Sequence, residues 1–420
     1  MSNSLNLHVL FTMAGANPNR DDAGNPKTLN YGGAPRSRIS SQALSRAKRL
    51  ALEEQERSQM SMRSKGAIVD VAVRQAVERF GPLDEAQAKI FRMIVADKVK
   101  ALSTKPKAAG TRSKPGKNGK GTSTDDGAAG AADDGAAGAA DDAADDGADD
   151  GAAGASTGPK EAKIDTAAYL SVGEFDCLVA TAHACALTGQ KFTQDFVGQR
   201  TGALAISAFG RMFAFRPDLN VEAAVQRSHA YTTHAAEIEP DYFTAVDDLK
   251  DTSGAAHLEF QFLTSGVYYW YANIDGRQIW KTWLSPEDDD TTRQVLKSFV
   301  TALLCALPHG KEATMSSHGL PAAVLAVETT QPDALHSAFE SPVPADREDR
   351  GYLSGSIKRL VEMQTALQEF MPAWYLDGRF AAVGPQRLGV ALPEKIKPSA
   401  SLAELIDYVT DWLFAQRPAQ

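Results

Sequence analysis

Residues 36–49 read RSRISSQALSRAKR. The segment carries five cations, Arg36, Arg38, Arg46, Lys48 and Arg49, and no acid. Ser40 or Ser41 can cap a helix here, because a short side-chain oxygen accepts from the N–H groups that a first turn leaves unpaired. Those N–H groups and the positive end of the helix dipole favour an anion. Beyond the cap, Gln42, Arg46 and Arg49 fall at spacings of four and three on one face, and Leu44, Ala47 and Ala51 take the opposite, apolar face. Two interpretations fit the segment by itself: a phosphate-binding helix start backed by a core, or a solvated, capped surface helix.

Upstream, Leu5, Leu7, Val9 and Phe11 alternate with Asn6, His8 and Leu10, the pattern of a half-buried strand. A loop rich in Asn, Pro and Gly follows over 14–35 and contains Asn19-Arg20-Asp21-Asp22 and Lys27. Loops of that length in compact domains are often functional. Strand, loop and a helix from Ser41 to about Gln55 make a first β-loop-α unit. Downstream, 68–80 and 84–102 show helical spacing of apolar residues. Residues 98–120 then hold eight cations and no acid, and from Asp125 the unit DDGAAGAA occurs, recurs at Asp133 and degenerates. With almost no bulky apolar residues, such a tract cannot offset its ordering entropy and is expected to be a disordered insertion that the fold tolerates.

Ordered chain is expected again from Ile164. Residues 169–187 read as a helix. Residues 203–215 suggest a strand-turn-strand around Gly210-Arg211-Met212, 221–231 are mixed, and 241–262 suggest an extended hairpin. SGVYYWYANI, residues 265–274, is the strongest strand pattern in the chain. Residues 291–307 suggest a helix, 322–327 a buried strand, and 356–371 and 401–416 two more helices, the last with a capping box from Ser401 and Glu404. Strands separated by helices give an α+β domain with a large helical insertion.

The chain has 420 residues, enough for two or three domains, and 43% of them are hydrophobic, enough for a sizeable core. The net charge of -9 argues bluntly against nucleic acid, but ten aspartates lie within 125–150, and without them the balance is +1. A near-neutral body can still carry a basic groove. Three cysteines, Cys177, Cys185 and Cys305, offer no disulfide framework and fit a reducing cytoplasm. The start, MSNSLNLHVLFTM, lacks the basic region of a signal peptide, and no apolar run is long enough to span a membrane. A soluble, cytoplasmic protein with no membrane partner is expected.

The sequence contains no P-loop, dinucleotide fingerprint or G-x-S-x-G elbow. No Cys or His pair has structural zinc spacing. Cys177, His183 and Cys185 come nearest but share one apolar helix pattern, where buried small residues are the simpler account. No catalytic residue, metal or cofactor is therefore expected. Asp21-Asp22 and Asp247-Asp248, the latter followed by His257 and Glu259, are the acidic candidates for metal-assisted hydrolysis, which needs several carboxylates converging on one point. Adjacent aspartates on a strand point to opposite faces, so loop-stabilising turns are the plainer use. Tyr268 and Trp270 share one strand face, and Val267, Tyr269 and Tyr271 the other. They could stack bases, or pack a central strand covered on both sides.

Several motifs together resemble a known family: HVL at 8–10, NRDD at 19–22, RISSQALSRAKR at 38–49, HAYTTH at 229–234, DYFTAVDDL at 241–249, GAAHL at 254–258 and SGVYYWYANI at 265–274. In that order they resemble CasC, the backbone subunit of type I-E Cascade, a CRISPR surveillance complex. The resemblance covers the first fifty residues and about 203–274. The tract 98–158 has no counterpart in it, and 275–420 match weakly. It implies a hand-like subunit with a modified ferredoxin-like (RRM-like) palm at 1–60, 204–235 and 263–420. Helical fingers would occupy 61–203, including the low-complexity tract at about 103–160, and a thumb hairpin 236–262. It further implies a non-catalytic, multi-copy scaffold that stacks head to tail along a guide crRNA. Such a scaffold holds the guide backbone without sequence specificity and presents it to target DNA in antiviral defence, alongside other Cascade subunits. Arg20, Lys27, Arg38, Ser40, Gln42, Arg46 and Arg49 fall where the family grips phosphates, and Arg211 and Met212 where a family loop meets the guide. Tyr242, Phe243 and Val246 fall on the thumb, as anchors for a neighbouring subunit or wedges against a base. Ser45 departs from the family, which has a lysine there; Lys48 or Arg49 would compensate. The rival from another class is a metal-dependent ribonuclease of the same palm, as in type III relatives, with Asp21 or Asp22 as the loop aspartate. A third possibility is an unrelated ferredoxin-like protein-interaction module.

Overall fold

A computed structural model describes residues 4–64, 66–103, 167–246, 255–316, 318–346, 351–384 and 390–418. The low-complexity tract and Asp247-Asp248 lie outside the described residues. The fold is mixed α+β, built on one large sheet. Its strands are β1 (Ser4–Ala16), β2 (Thr28–Tyr31), β3 (Ala34–Ile39), β6 (Val225–Arg227), β7 (Ala230–Thr232), β8 (Ile238–Val246), β9 (Ala255–Asp275), β10 (Pro321–Thr329), β11 (Tyr375–Ala382) and β12 (Ile396–Pro398). A separate two-stranded sheet pairs β4 (Ser61–Ser64) with β5 (Ala168–Ser171). Among the described residues the helices are α1 (Ser41–Gln55), α2 (Ile68–Phe80), α3 (Glu85–Ser103), α4 (Val172–Thr188), α5 (Leu204–Phe209), α6 (Gly276–Thr282), α7 (Asp289–Cys305), α8 (Glu312–Met315), α9 (Leu353–Phe370) and α10 (Leu402–Ala415).

β1 lies between β9 and β10 and is antiparallel to both. It is not half-buried, as its alternation suggests, because both faces of the sheet are covered. Leu5, Leu7, Val9 and Phe11 pack with residues of α1, α7 and α10, whereas Leu10 joins residues of α9 on the opposite face. Asn6 and His8 on that second face are also buried, and their polar atoms are met by Thr329 and Tyr269. The aromatic block of β9 follows the same division. Tyr268 and Trp270 enter the first core and Tyr269 and Tyr271 the second. These rings are the interior of a two-sided sheet, so none is placed to stack on a base.

The loop expected over 14–35 contains a hairpin. Gly32 and Gly33 both adopt positive φ, 59° and 74°, which a two-residue turn between β2 and β3 requires. Residues 203–215 are likewise not strand-turn-strand: Leu204–Phe209 is helical, and only Arg211 bridges to Val221. At the C-terminal helix, Ser401 accepts the Glu404 N–H, but the Glu404 carboxylate takes the N–H of Ala400 rather than that of Ser401. The reciprocal capping box is at α4, between Ser171 and Glu174.

A third core is distinct from the sheet. Ile68, Ala72 and Ala76 of α2, Phe91, Val95 and Val99 of α3, and Phe175, Leu178 and Ala182 of α4 bury one another, with Ala168 and Leu170 of β5. The chain leaves the large sheet after α1, builds this helical body and returns through α5 to β6.

Candidate nucleic-acid interface

The start of α1 is built by three segments distant in sequence. Ser40 is the N-cap, and its hydroxyl accepts the Ala43 N–H at 3.2 Å. The Ser40 N–H donates to Oδ1 of Asn19 at 2.8 Å, which ties the NRDD loop to the cap. The Ser41 N–H donates to Nδ1 of His229 at 2.9 Å. Accepting there keeps that ring nitrogen unprotonated, and burial first, then the cations of Arg38 and Lys27, hold the His229 pKa below its ordinary value. The other ring nitrogen, Nε2, stands 3.4 Å from Nη1 of Arg38. Backbone bonds from Lys27 to Asn19 (3.0 Å) and from Arg38 to Lys27 (2.7 Å) align the loop with β3.

Cations line this wall. Arg38 and Lys27 are half-buried and form no ion pair among the described residues. Nε of Arg38 is buried and has no hydrogen-bond partner. A guanidinium with an unspent donor beside a helix start is suited to an anion, because an oxyanion would satisfy both. Arg46 is exposed one turn further along, and Arg20 and Gln42 are half-buried beside the wall.

The structure assigns other cations to the interior. Arg36 is fully buried, and its guanidinium donates to the carbonyls of Tyr31, Thr232, Phe339 and Glu340 at 2.9–3.2 Å. Lys48 is buried over the ring of Trp270, 4.2 Å away. Its Nζ donates to the carbonyls of Leu303 (2.6 Å) and Ala306 (3.2 Å), the last turn and cap of α7, where carbonyls lack helical partners. Burial pulls the Lys48 pKa down to about 7. Lys48 therefore cannot stand in for a lysine at position 45. Arg49 is held by Glu53, with Nη1 3.2–3.3 Å from its two carboxylate oxygens, and is only 17% exposed. What the structure brings to Ser45 is Arg227 of β6. Its Nε donates to the Ser45 hydroxyl, which itself donates to the Ser41 carbonyl at 2.7 Å. The sequence does not mark Arg227, because nothing in it ties β6 to α1.

Arg211 needs a similar correction. It does not face solvent: its side chain is fully buried in an ion pair with Glu174 (2.6 Å) and donates to the Gly198 carbonyl at 2.8 Å. It ties its own segment to β5, α4 and the loop after α4. Its neighbour Met212 is exposed.

β8 and β9 form the expected hairpin, paired from Ile238–Thr264 outward to Val246–Ala255. Tyr242 and Phe260 face each other across it with ring centroids 5.2 Å apart, and with Phe243 all three are exposed. Phe260 is the member that no sequence motif marks, since only pairing across the hairpin reveals it. The Val246 side chain lies outside the described residues. At the hairpin base, Gly266 is required by close approach, since a Cβ there would lie 2.4 Å from Nε2 of His234. That nitrogen accepts the Val267 N–H and fixes the hairpin's root.

Asp21, the acid of the ribonuclease alternative, is used by its own loop. Oδ1 accepts the N–H groups of Ala23 (3.0 Å) and Asn25 (2.8 Å). Asp22 is exposed.

The family model described as CT1975-like protein matches residues 5–407. The chain belongs to the CT1975-like family. No curated protein matches this CT1975-like chain. Among solved structures it is similar to a chain of a "CRISPR RNA-guided surveillance complex, pre-nicking", with 24% identity and a TM-score of 0.71 over 98% of this chain and 100% of that one. A chain of a "CRISPR RNA-guided surveillance complex" matches with 22% identity and a TM-score of 0.62, over 97% and 99%. The likeness is of fold, and it extends through 275–420, where the motifs are weak. No described helix of the CT1975-like chain is long and apolar enough to cross a membrane.

Proposed function

We propose that this CT1975-like protein is the guide-binding backbone subunit of a Cascade-type CRISPR complex, of type I-E by its motifs. Several copies would stack head to tail along one crRNA, hold its phosphates without reading bases and present it to target DNA beside other subunits, in the cytoplasm. The observation that carries this is the wall at the start of α1. There Lys27 and Arg38 lack acid partners among the described residues, Arg38 keeps an unspent donor, and the cap is fixed from Asn19 and His229. These are phosphate-holding groups, not base-edge readers. Exposed Tyr242, Phe243 and Phe260 fit a hairpin that folds over the guide or a neighbouring copy. The fold of the two solved complexes and the family membership support the same role. The large sheet serves as the ferredoxin-like palm, and the body around α2, α3 and α4 as the fingers.

The subunit holds RNA rather than cutting it. Asp21 spends its carboxylate on the turn, which supports this against the metal-dependent ribonuclease. Co-expression with a CRISPR array and purification tests the proposal. Bound RNA of uniform length is expected, and a preparation free of RNA would sink it. Adding complementary RNA and a divalent metal to that complex is expected to give no regularly spaced cuts.

A further inference from the structure

The segment between α7 and β10 gathers three metal-ligating side chains that the wall and the hairpin do not use. Nδ1 of His309 lies 2.8 Å from Oε2 of Glu312, and Nε2 of His318 lies 2.8 Å from Oε1 of the same carboxylate. All the ligand atoms fall within 4.8 Å of one another. The two imidazoles are well exposed, 61% and 64%. Sequence spacing conceals the group, because His309 and His318 are nine positions apart and match no zinc-finger pattern. The backbone brings them together: Lys311 and Ser316 adopt positive φ, 56° and 45°, at the two ends of α8, and fold the segment back on itself.

We infer that His309, Glu312 and His318 form a binding site for a divalent transition-metal ion of the zinc type. Two imidazole nitrogens and one carboxylate oxygen suit zinc, cobalt or nickel, whereas magnesium and calcium prefer all-oxygen shells. Bonds of about 2.0–2.2 Å to three such atoms need only small side-chain rotations from the present contacts. The ion takes the place of the protons now shared between each ring and Glu312, so binding releases protons or moves them to the other ring nitrogen. The remaining coordination positions face solvent. The site is built into a junction. A Cβ on Gly310 would lie 2.5 Å from the Pro18 carbonyl, just before the NRDD loop, and Nζ of Lys311 donates to Oε1 of Gln261 in the hairpin, 3.3 Å away. A bound ion therefore stiffens a connection that touches both the wall loop and the hairpin. This inference does not depend on the proposed function.

The full chain, purified with whatever RNA accompanies it and with any affinity tag removed, is dialysed against Zn²⁺ and its metal content measured. Wild type is expected to retain one ion per chain, and H309A/H318A none. Co²⁺ is expected to give visible d–d absorption in wild type that vanishes in the double variant and in E312Q, and a large excess of Mg²⁺ should not displace it. Both histidines are exposed, so the metal-free melting temperatures of wild type and double variant should coincide, and Zn²⁺ should raise only that of wild type. Equal retention by the double variant, loss of the ion in D21N/D22N instead, or no retention by wild type would each overturn the site.

Discussion

Arg36 and Arg38 lie two residues apart on the same face of β3, yet one belongs to the interior and the other to the wall at the start of α1. Arg36 ends among four carbonyls and Arg38 beside a helix start with a donor unspent. The same division separates other cations. Arg36, Lys48 and Arg211 are buried and hold segments together, whereas Lys27, Arg38 and Arg46 are presented at the surface or beside it. Strand and helix periodicity cannot separate the two regions. The separation comes from what distant chain lays over each position: Phe339 and Glu340 cover Arg36, and the end of α7 covers Lys48.

Removing an interior cation should have the largest effect. R36A leaves four carbonyls without their donor, two of them in buried bonds, and R211A leaves the buried carboxylate of Glu174 without its cation. Each is expected to cost about 3–5 kcal/mol, from the penalty for breaking a buried charged network. Urea denaturation of the purified subunit measures it. A loss below about 1 kcal/mol, the scale of an ordinary surface change, would show that these cations are not structural. R36K should rescue little, because one ammonium cannot span the carbonyls that the guanidinium fork reaches.

K48M should act in the same direction but less, by about 1–3 kcal/mol, because it removes the donor to the last carbonyls of α7 while keeping the packing on Trp270. It also carries a pH signature. Lys48 gives up its proton near pH 7 in the folded chain and near 10.5 in the unfolded one. Across that window the unfolded state binds more protons, so stability contributed by this group rises with pH from about 7 towards 10.5 and is lost as pH falls through 7. Urea midpoints at the two ends of the window should differ more for wild type than for K48M. Equal differences would mean that Lys48 does not titrate as a buried amine.

Much of the wall is legible in the sequence because it is local. The Ser40 cap, the apolar face of Leu44 and Ala47 and the tie between NRDD and the helix start all lie within the first fifty residues. The two-sided burial of SGVYYWYANI is also one of the two readings that its aromatic residues on both faces allow. What escapes is any pairing that only topology creates: Arg227 against Ser45, Phe260 against Tyr242, and Glu174 against Arg211. The last pair is a warning for motif transfer. A Gly-Arg-Met sequence points to a contact loop, but the reciprocal cap at Ser171 sets Glu174 in the interior, and Arg211 goes to meet it.

Removing wall cations gives the converse result. R38A/R46A should leave the unfolding free energy from urea denaturation within about 0.5 kcal/mol of wild type, because neither side chain carries the core. Without these two cations on its phosphates, the guide should bind with a slope of log affinity against log salt that is shallower by about 1.4, at roughly 0.7 per phosphate on single-stranded RNA. Binding titrations of the guide across a salt series check it. R49A should differ from this pair, costing stability through the buried Glu53 it leaves behind and changing the salt slope little.

The smallest effect is expected from deleting residues 110–158. The helical body draws its buried residues from 68–102 and 168–219, and the pairing of β4 with β5 brings the two stretches together beside α4. Loop-closure entropy changes only slowly with length, about 0.6 kcal/mol per doubling, so a shorter connection neither strains nor greatly stabilises the body. The deletion removes ten aspartates and four cations, so the formal charge rises from -9 to -3, which should strengthen rather than weaken attraction to RNA at low salt. Assemblies of unchanged length by electron microscopy are the expected result. Shortened or absent assemblies would mean that the tract supplies a contact between copies, and the division between interior and wall would then omit a third kind of charged region.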